Sequence, residues 1–62
     1  MFFRYMEVRD VEEIWEMDQA LFGSMAYSRQ DFLRAVEGKY DRAIVLAEEE
    51  EILGYAILRV LG

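Results

Sequence analysis

The chain has 62 residues, 55% of them hydrophobic, which is typical of one small globular domain and excludes an intrinsically disordered protein. Because it contains no cysteine and no histidine, disulfides, zinc-finger sites, thiol catalysis and imidazole acid–base chemistry are excluded. Its net charge of −6, from thirteen acidic and seven basic residues, argues against nucleic-acid binding through phosphate contacts.

The first two predicted elements are a strand and a helix. The short aromatic run at residues 2–6 predicts the strand. The helix begins at Asp10, an N-cap type of residue with Glu13 three positions later, and Gly23 ends it. Its apolar face has the helical i, i+3, i+4 spacing and comprises Val11, Ile14, Trp15, Leu21 and Phe22.

Asp18 interrupts this apolar face. At about 100° per residue, a helix places Asp18 between Trp15 and Phe22, in the middle of the apolar stripe. Two interpretations remain open. In the first, the carboxylate lies near a groove edge and bonds a neighbouring backbone amide; in the second, it faces a ligand groove and receives an amine. Either way it requires a partner, because an unpaired buried carboxylate is costly.

The second predicted helix begins at Ser28 and ends at Gly38. Ser28 and Asp31 resemble a capping box in which aspartate takes the usual place of glutamate. Tyr27, just before the cap, and Phe32, four positions inside the helix, predict a hydrophobic staple. The apolar face of this helix comprises Phe32, Ala35 and Val36.

Residues 42–48 and 52–61 predict the second and third strands, joined as a β-hairpin through the glutamates at 48–51. The four carboxylates are expected to stay in water; a metal site is the weaker alternative, because consecutive residues point in different directions. Both faces of the third strand are largely apolar. One carries Ile52, Gly54, Ala56, Leu58 and Val60, and the other Leu53, Tyr55, Ile57, Arg59 and Leu61. Two short helices cannot cover both faces, so one face and the edge of this strand are expected to be open.

The predicted order is strand, helix, helix, strand, strand. It indicates an α+β fold with two helices and an antiparallel three-stranded sheet, in a single partial domain over residues 1–62. The first residues show no signal-peptide pattern, and no apolar run approaches the roughly 18 residues of a membrane span. A cytoplasmic protein that does not contact membranes is therefore expected.

Five segments carry a family resemblance. They read RDVEEI at 9–14, DQALFG at 18–23, YSRQDFL at 27–33, AIVLAE at 43–48 and ILGYA at 52–56. In this order they resemble the N-terminal half of the GNAT (Gcn5-related) N-acetyltransferases. The similarity is greatest to the branch that acetylates protein N-termini, including the ribosomal-protein alanine acetyltransferases.

The resemblance implies an incomplete acyl-CoA N-acyltransferase-like fold, with acetyl-CoA as the family's co-substrate and a peptide amine as acceptor. Family members hold the cofactor pyrophosphate with a Q/R-x-x-G-x-G/A loop at a helix N-terminus, after the fourth strand. Residues 1–62 contain no such loop. We therefore assign no catalytic, cofactor-binding or metal-binding residue, and expect this chain alone not to catalyse acetyl transfer.

The resemblance also implies a substrate side. Family members present aromatic residues to the acceptor peptide from the turn between the first two helices, which corresponds to Phe22 and Tyr27; Gly23 stands where the family usually has proline. The alternative is that Phe22 belongs to the core and Tyr27 only to the staple. Tyr55 and Asp18 complete the candidate substrate-binding set, and simple packing is the alternative for Tyr55.

Two functional hypotheses follow. The chain is the substrate-side portion of an N-acetyltransferase that needs the missing C-terminal half of the fold, or it is a non-catalytic interaction module that forms a homodimer through its exposed third strand. A third hypothesis, an acidic peptide-binding domain unrelated to acetyltransferases, has only the charge in its favour.

Overall fold

A computed structural model describes residues 1–59 of the chain. The elements are β1 (Phe2–Tyr5), α1 (Val11–Phe22), α2 (Arg29–Glu37), β2 (Asp41–Glu48) and β3 (Glu51–Arg59), with 3₁₀ turns at Val8–Asp10 and Gly23–Met25. The strands form one antiparallel sheet in the order β1-β2-β3. The predicted α+β fold and order of elements are confirmed. The predicted end of the third strand, at residues 60 and 61, lies outside the described residues.

The start of α1 differs from the prediction in its chemistry. Asp10 does precede the helix, but its side chain makes no capping bond to α1. Instead, one carboxylate oxygen accepts a hydrogen bond from the Glu7 backbone N–H at 2.8 Å, and the two oxygens pair with the Arg4 guanidinium at 2.7 and 3.0 Å. The hydrogen bonds from Arg4 hold the pKa of Asp10 below its ordinary value. This partly buried ion pair connects β1 to the beginning of α1.

The start of α2 has the predicted chemistry. Ser28 Oγ accepts a hydrogen bond from the Asp31 N–H at 3.1 Å, and the Asp31 carboxylate accepts one from the Ser28 N–H at 3.0 Å, which confirms the capping box. The rings of Tyr27 and Phe32 meet edge to face with their centroids 5.6 Å apart, which confirms the hydrophobic staple. Gly38 ends the helix in the left-handed conformation, at φ 72°.

The predicted alternation along the third strand is wrong at one position, because β3 contains a bulge. The pairing passes from Leu46↔Gly54 to Ala47↔Ile52 and leaves Leu53 without a partner. As a result, Ile52 lies on the same face as Tyr55 and Ile57, and all three pack against the core. Counting by two along the sequence assumes one-to-one pairing, so it cannot detect the extra residue.

The core lies between the two helices and one face of the sheet, which we call the inner face. Ile14 of α1, Phe32 of α2 and Val45 of β2 are fully buried there. The other buried apolar residues of this cluster are Met6, Val11, Ala35 and Ala43. Neither helix has both the length and the apolar character that would let it span a membrane, as far as residues 1–59 extend.

The opposite side of the sheet, the outer face, is not covered by the helices. Successive residues of a strand point to opposite faces of the sheet, so the residues that alternate with buried Ala43, Val45 and Ala47 of β2, and their cross-strand partners, belong to this face. Its apolar members are Phe3, Tyr5, Ile44, Leu46, Gly54, Ala56 and Leu58. Phe3 is 74% exposed, Tyr5 68% and Leu58 53%. The prediction that two helices would leave one face of the sheet open is therefore confirmed.

Truncation of Ile14 tests the position of the core. Because Ile14 is fully buried, Ile14→Ala leaves a cavity and is expected to lower the free energy of unfolding by about 2–5 kcal/mol. Leu21→Ala, at an exposed position near the end of the same helix, is expected to change it by no more than about 0.5 kcal/mol. Urea denaturation followed by circular dichroism measures both variants, and equal losses would contradict the burial described here.

Candidate functional site

Three of the four predicted site residues lie together in the fold. Asp18 extends from α1, Tyr27 lies in the turn before α2, and Tyr55 extends from the inner face of β3. Hydrogen bonds from Tyr27 and Tyr55 converge on the Asp18 carboxylate. We call these three residues, together with Phe32, the Asp18 cluster.

Both carboxylate oxygens of Asp18 have a partner. Oδ2 accepts a hydrogen bond from the Tyr27 backbone N–H at 2.7 Å, and Oδ1 accepts one from the Tyr55 hydroxyl. Asp18 is only 2% exposed, so these bonds replace the water that the carboxylate loses on burial. The interpretation that Asp18 bonds a neighbouring backbone amide is confirmed. The second partner, a tyrosine 37 residues further along the chain, has no signal in local sequence.

Tyr55 is a hydrogen-bond donor in this arrangement. Burial disfavours its charged phenolate, and the bond to the anionic Asp18 favours the protonated form further. Together they raise the pKa of Tyr55 to about 12. At neutral pH the hydroxyl therefore keeps its proton and orients the carboxylate, and it does not act as a base.

Phe32 holds the two tyrosines of the cluster in place. Its ring meets Tyr27 with centroids 5.6 Å apart and Tyr55 with centroids 6.0 Å apart, at interplanar angles of 73° and 79°. Such edge-to-face contacts are favourable because the positive edge of one ring faces the negative face of the other. The sequence predicted Phe32 as a core and staple residue; its contact with Tyr55 depends on the tertiary fold.

Phe22 does not join the Asp18 cluster. It is the last residue of α1 and is 56% exposed, so the interpretation that it belongs to the core is wrong. Leu21 and Met25 beside it are also exposed, and Tyr27 is half exposed. The connection between the helices therefore presents four apolar or aromatic side chains to solvent.

Two open grooves border Tyr27. One, of about 520 Å³, lies between α2 and the end of β3 and is lined by three acidic and three basic side chains in addition to Tyr27, Tyr40 and Ile57. The other, of about 630 Å³, follows the connection between the helices and includes Trp15, Gln19 and Arg29. Tyr27 is the residue that the two grooves share.

The described residues do not fit a cofactor pyrophosphate. A helix N-terminus binds phosphate through unpaired backbone N–H groups and its positive dipole. The first turn of α1 carries Glu12 and Glu13, and the first turn of α2 carries Asp31, whose carboxylate closes the capping box. These negative charges repel an anion at both helices. Between residues 1 and 59, no group of three potential metal ligands is arranged to hold a metal ion.

Comparison with known proteins identifies no relative: no family model matches the chain, and no curated protein or solved structure matches it at a significant level. The function therefore has to be argued from the fold, the Asp18 cluster and the exposed surfaces.

Removal of the Tyr55 hydroxyl tests the Asp18 cluster. Tyr55→Phe leaves one oxygen of a buried carboxylate without a partner, and is expected to lower the free energy of unfolding near neutral pH by about 1–3 kcal/mol. Tyr40→Phe, at an exposed tyrosine, is expected to have almost no effect.

The alkaline range gives a second readout of the same bond. Because the folded pKa of Tyr55 is raised from 10.0 to about 12, the folded protein retains a proton that the unfolded chain loses. This contribution to stability is fully present below about pH 10 and is lost as the pH rises towards 12. Urea denaturation between pH 9 and pH 12 is expected to show that the free energy of unfolding falls more steeply with pH for the wild type than for Tyr55→Phe. Equal slopes would contradict the hydrogen bond from Tyr55 to Asp18.

Proposed function

We propose that this chain is the substrate-side part of a cytoplasmic, acetyl-CoA-dependent N-acetyltransferase whose acceptor is a peptide amine. The observation that carries the proposal is the bond from the Tyr27 backbone N–H to Asp18, which anchors the turn between the helices while leaving its aromatic side chains exposed. The order of strands and helices agrees with the proposal.

The turn between the helices is held on both sides of residue 27. Asp18 accepts the Tyr27 N–H at 2.7 Å, and the Gln19 side-chain amide donates to the Tyr27 carbonyl at 3.4 Å. Both bonds come from α1, so the turn is ordered before a ligand arrives. A preordered surface loses less conformational entropy on binding, which favours a short peptide with few contacts.

The surroundings of Tyr27 suit a cationic amino group. The groove between α2 and β3 carries the carboxylates of Asp31, Glu37 and Asp41 together with three basic side chains. Asp31 and Asp41 already pair with Arg34 and Arg59, so Glu37 is the carboxylate that would meet an amine, and the half-exposed Tyr27 ring offers an apolar contact beside it. A peptide N-terminus combines an ammonium group with an apolar backbone and side chain. Carboxylates beside exposed aromatic rings supply complementary contacts to both parts.

The described residues supply binding and leave proton transfer to other groups. An amine must lose a proton before it attacks the thioester carbon of acetyl-CoA, so the reaction needs a base within hydrogen-bond reach. Tyr55 stays protonated at neutral pH, and Asp18 already accepts two hydrogen bonds. We therefore propose that the base and the acetyl-CoA site belong to the missing C-terminal half of the fold.

Peptide titration tests the proposed substrate side. A short peptide with a free α-amino group is expected to shift the amide resonances of Phe22 and Tyr27 in the ¹⁵N-labelled chain, and the same peptide N-acetylated is expected to bind at least fivefold more weakly, because it lacks the cationic group. Tyr27→Ala is expected to weaken binding of the free peptide, whereas Tyr5→Ala, at an exposed tyrosine of β1, leaves it unchanged.

Two outcomes would contradict the proposal. If the free and acetylated peptides bind equally well, the site does not recognise an amine. If neither peptide shifts the resonances of Phe22 and Tyr27, these residues do not bind the substrate. Calorimetry with acetyl-CoA alone is expected to show no heat of binding.

A second candidate function is an association module. The observation that favours it is the position of β3, a nine-residue strand at the end of the sheet, with one side unpaired among residues 1–59. Unpaired N–H and C=O groups at a strand edge accept another strand, which would give a continuous sheet across a two-fold dimer.

Hydrogen exchange at several protein concentrations tests this candidate. If β3 edges pair, alternate amides of β3 are expected to exchange at least tenfold more slowly as the concentration rises, because they become bonded to the second copy. The amides of β1, at the other end of the sheet, serve as the internal control. Concentration-independent exchange along β3 would contradict association through this edge.

A further inference from the structure

We propose that the outer face of the sheet packs against the outer face of a second copy of this chain, forming a two-fold dimer of stacked sheets. This surface is distinct from the β3 edge and from the grooves beside Tyr27. Occupation of the outer face therefore leaves the proposed substrate side accessible.

The outer face combines exposure with the absence of charge. Its seven residues are apolar, aromatic or glycine, and Phe3, Tyr5 and Leu58 are more than half exposed. Charged residues on the same side stand at the ends of the strands: Arg42 at one end, and Glu48 with Glu51 at the other. Such an apolar centre with a charged rim is typical of a protein–protein contact, and charges at the rim stay in water, where salt screens them.

The proposed dimer buries the outer face together with its charged rim. An exposed aromatic side chain contributes on the order of 150 Å², so Phe3 and Tyr5 offer about 300 Å² per copy, to which the other five residues add. Monomeric proteins rarely expose a larger contiguous apolar patch. A specific interface buries about 800 Å² per partner, so the dimer needs the rim residues as well as the outer face.

The shape of the face favours a second copy as the occupant. Its two aromatic side chains lie on one edge strand and its two smallest residues on the other, where Leu58 lies further along the strand. Phe3 of β1 and Gly54 of β3 both pair with Leu46 of β2, and Tyr5 and Ala56 both pair with Ile44. A surface that carries both a ridge and a matching hollow is self-complementary, which is the requirement for a two-fold contact.

The register of the strands defines the arrangement. A two-fold axis parallel to β2 brings β1 of one copy over β3 of the other. Phe3 then faces the partner's Gly54, and Tyr5 faces the partner's Ala56, while Ile44 and Leu46 meet their own counterparts at the centre. Sheets stacked in this way lie about 10 Å apart with strands crossing at about 30°, the usual geometry of a β-sandwich.

Gly54 provides a test that spares the monomer. A Cβ added at this position would meet no heavy atom within 4 Å, and Gly54 does not have the positive φ that strains other residues. A side chain can therefore start from Gly54 without a clash at its Cβ, and Gly54→Leu is expected to fill the hollow while the single copy stays folded. If Phe3 of the partner occupies that hollow, the added side chain displaces it.

Analytical ultracentrifugation on the 62-residue chain measures the association. The wild type is expected to be dimeric at about 100 µM and to dissociate on dilution, in keeping with an interface at the lower end of the standard size range. Phe3→Gln and Gly54→Leu are each expected to raise the dissociation constant at least tenfold. Phe22→Gln is the matched control, because it makes the same change at another exposed phenylalanine, and it is expected to leave the constant unchanged.

Each remaining result overturns the proposal. A monomeric wild type at 100 µM excludes the dimer at any useful affinity, and a dimer that survives Phe3→Gln uses another surface, such as the β3 edge. Tighter association of Gly54→Leu would exclude the proposed register. In that register the added side chain displaces Phe3 of the partner, whereas an apolar contact without this register would be strengthened by the added apolar surface. Circular dichroism at low concentration establishes that each variant is folded. On the unmodified chain, a soluble paramagnetic probe is expected to broaden the resonances of Ala56 less as the protein concentration rises.

Discussion

The buried Asp18 carboxylate is the interaction on which the arrangement of this molecule depends. It receives a backbone N–H from the turn before α2 and a hydroxyl from β3, so a single side chain of α1 connects three parts of the fold. A carboxylate at 2% exposure is tolerated only when both oxygens are bonded, so the turn and the strand must keep these positions relative to α1. The same requirement orients Tyr27, the residue shared by the two grooves.

The second constraint is that the chain has only two helices to cover a sheet with two apolar faces, as far as residues 1–59 extend. Two helices cover the inner face, and the apolar outer face and the β3 edge have no partner among residues 1–59. The two proposals of self-association follow from these uncovered surfaces, whereas the proposed substrate side rests on the bond between Tyr27 and Asp18. A substrate-side portion of an enzyme needs further chain to supply its cofactor site, and a small domain with an open apolar face gains stability when a second copy buries it. The two differ in surface, so the experiments on each are independent.

Local patterns predicted much of this fold, and the errors share one cause. The capping box at Ser28 and the staple between Tyr27 and Phe32 involve residues at most five positions apart, and the structure contains both. Asp10 was placed correctly at a helix start, but its partner is Arg4 on β1. The bulge at Leu53 and the exposure of Phe22 depend on what lies across the sheet or beyond the helix end, which a periodic pattern does not record.

The amino-acid sequence is enough to predict the class of fold, the order of the elements, the residues that begin and end α2, and the presence of an uncovered sheet face. These features depend on short-range chemistry and on the balance of apolar residues, both of which are readable along the chain. The contact of Tyr55 with Asp18, and the positions of Phe3 and Tyr5 across the sheet from Gly54 and Ala56, became known from the three-dimensional structure. These contacts join residues that are far apart in sequence, so they can be found only when the register of the strands and the packing of the helices on the sheet are known.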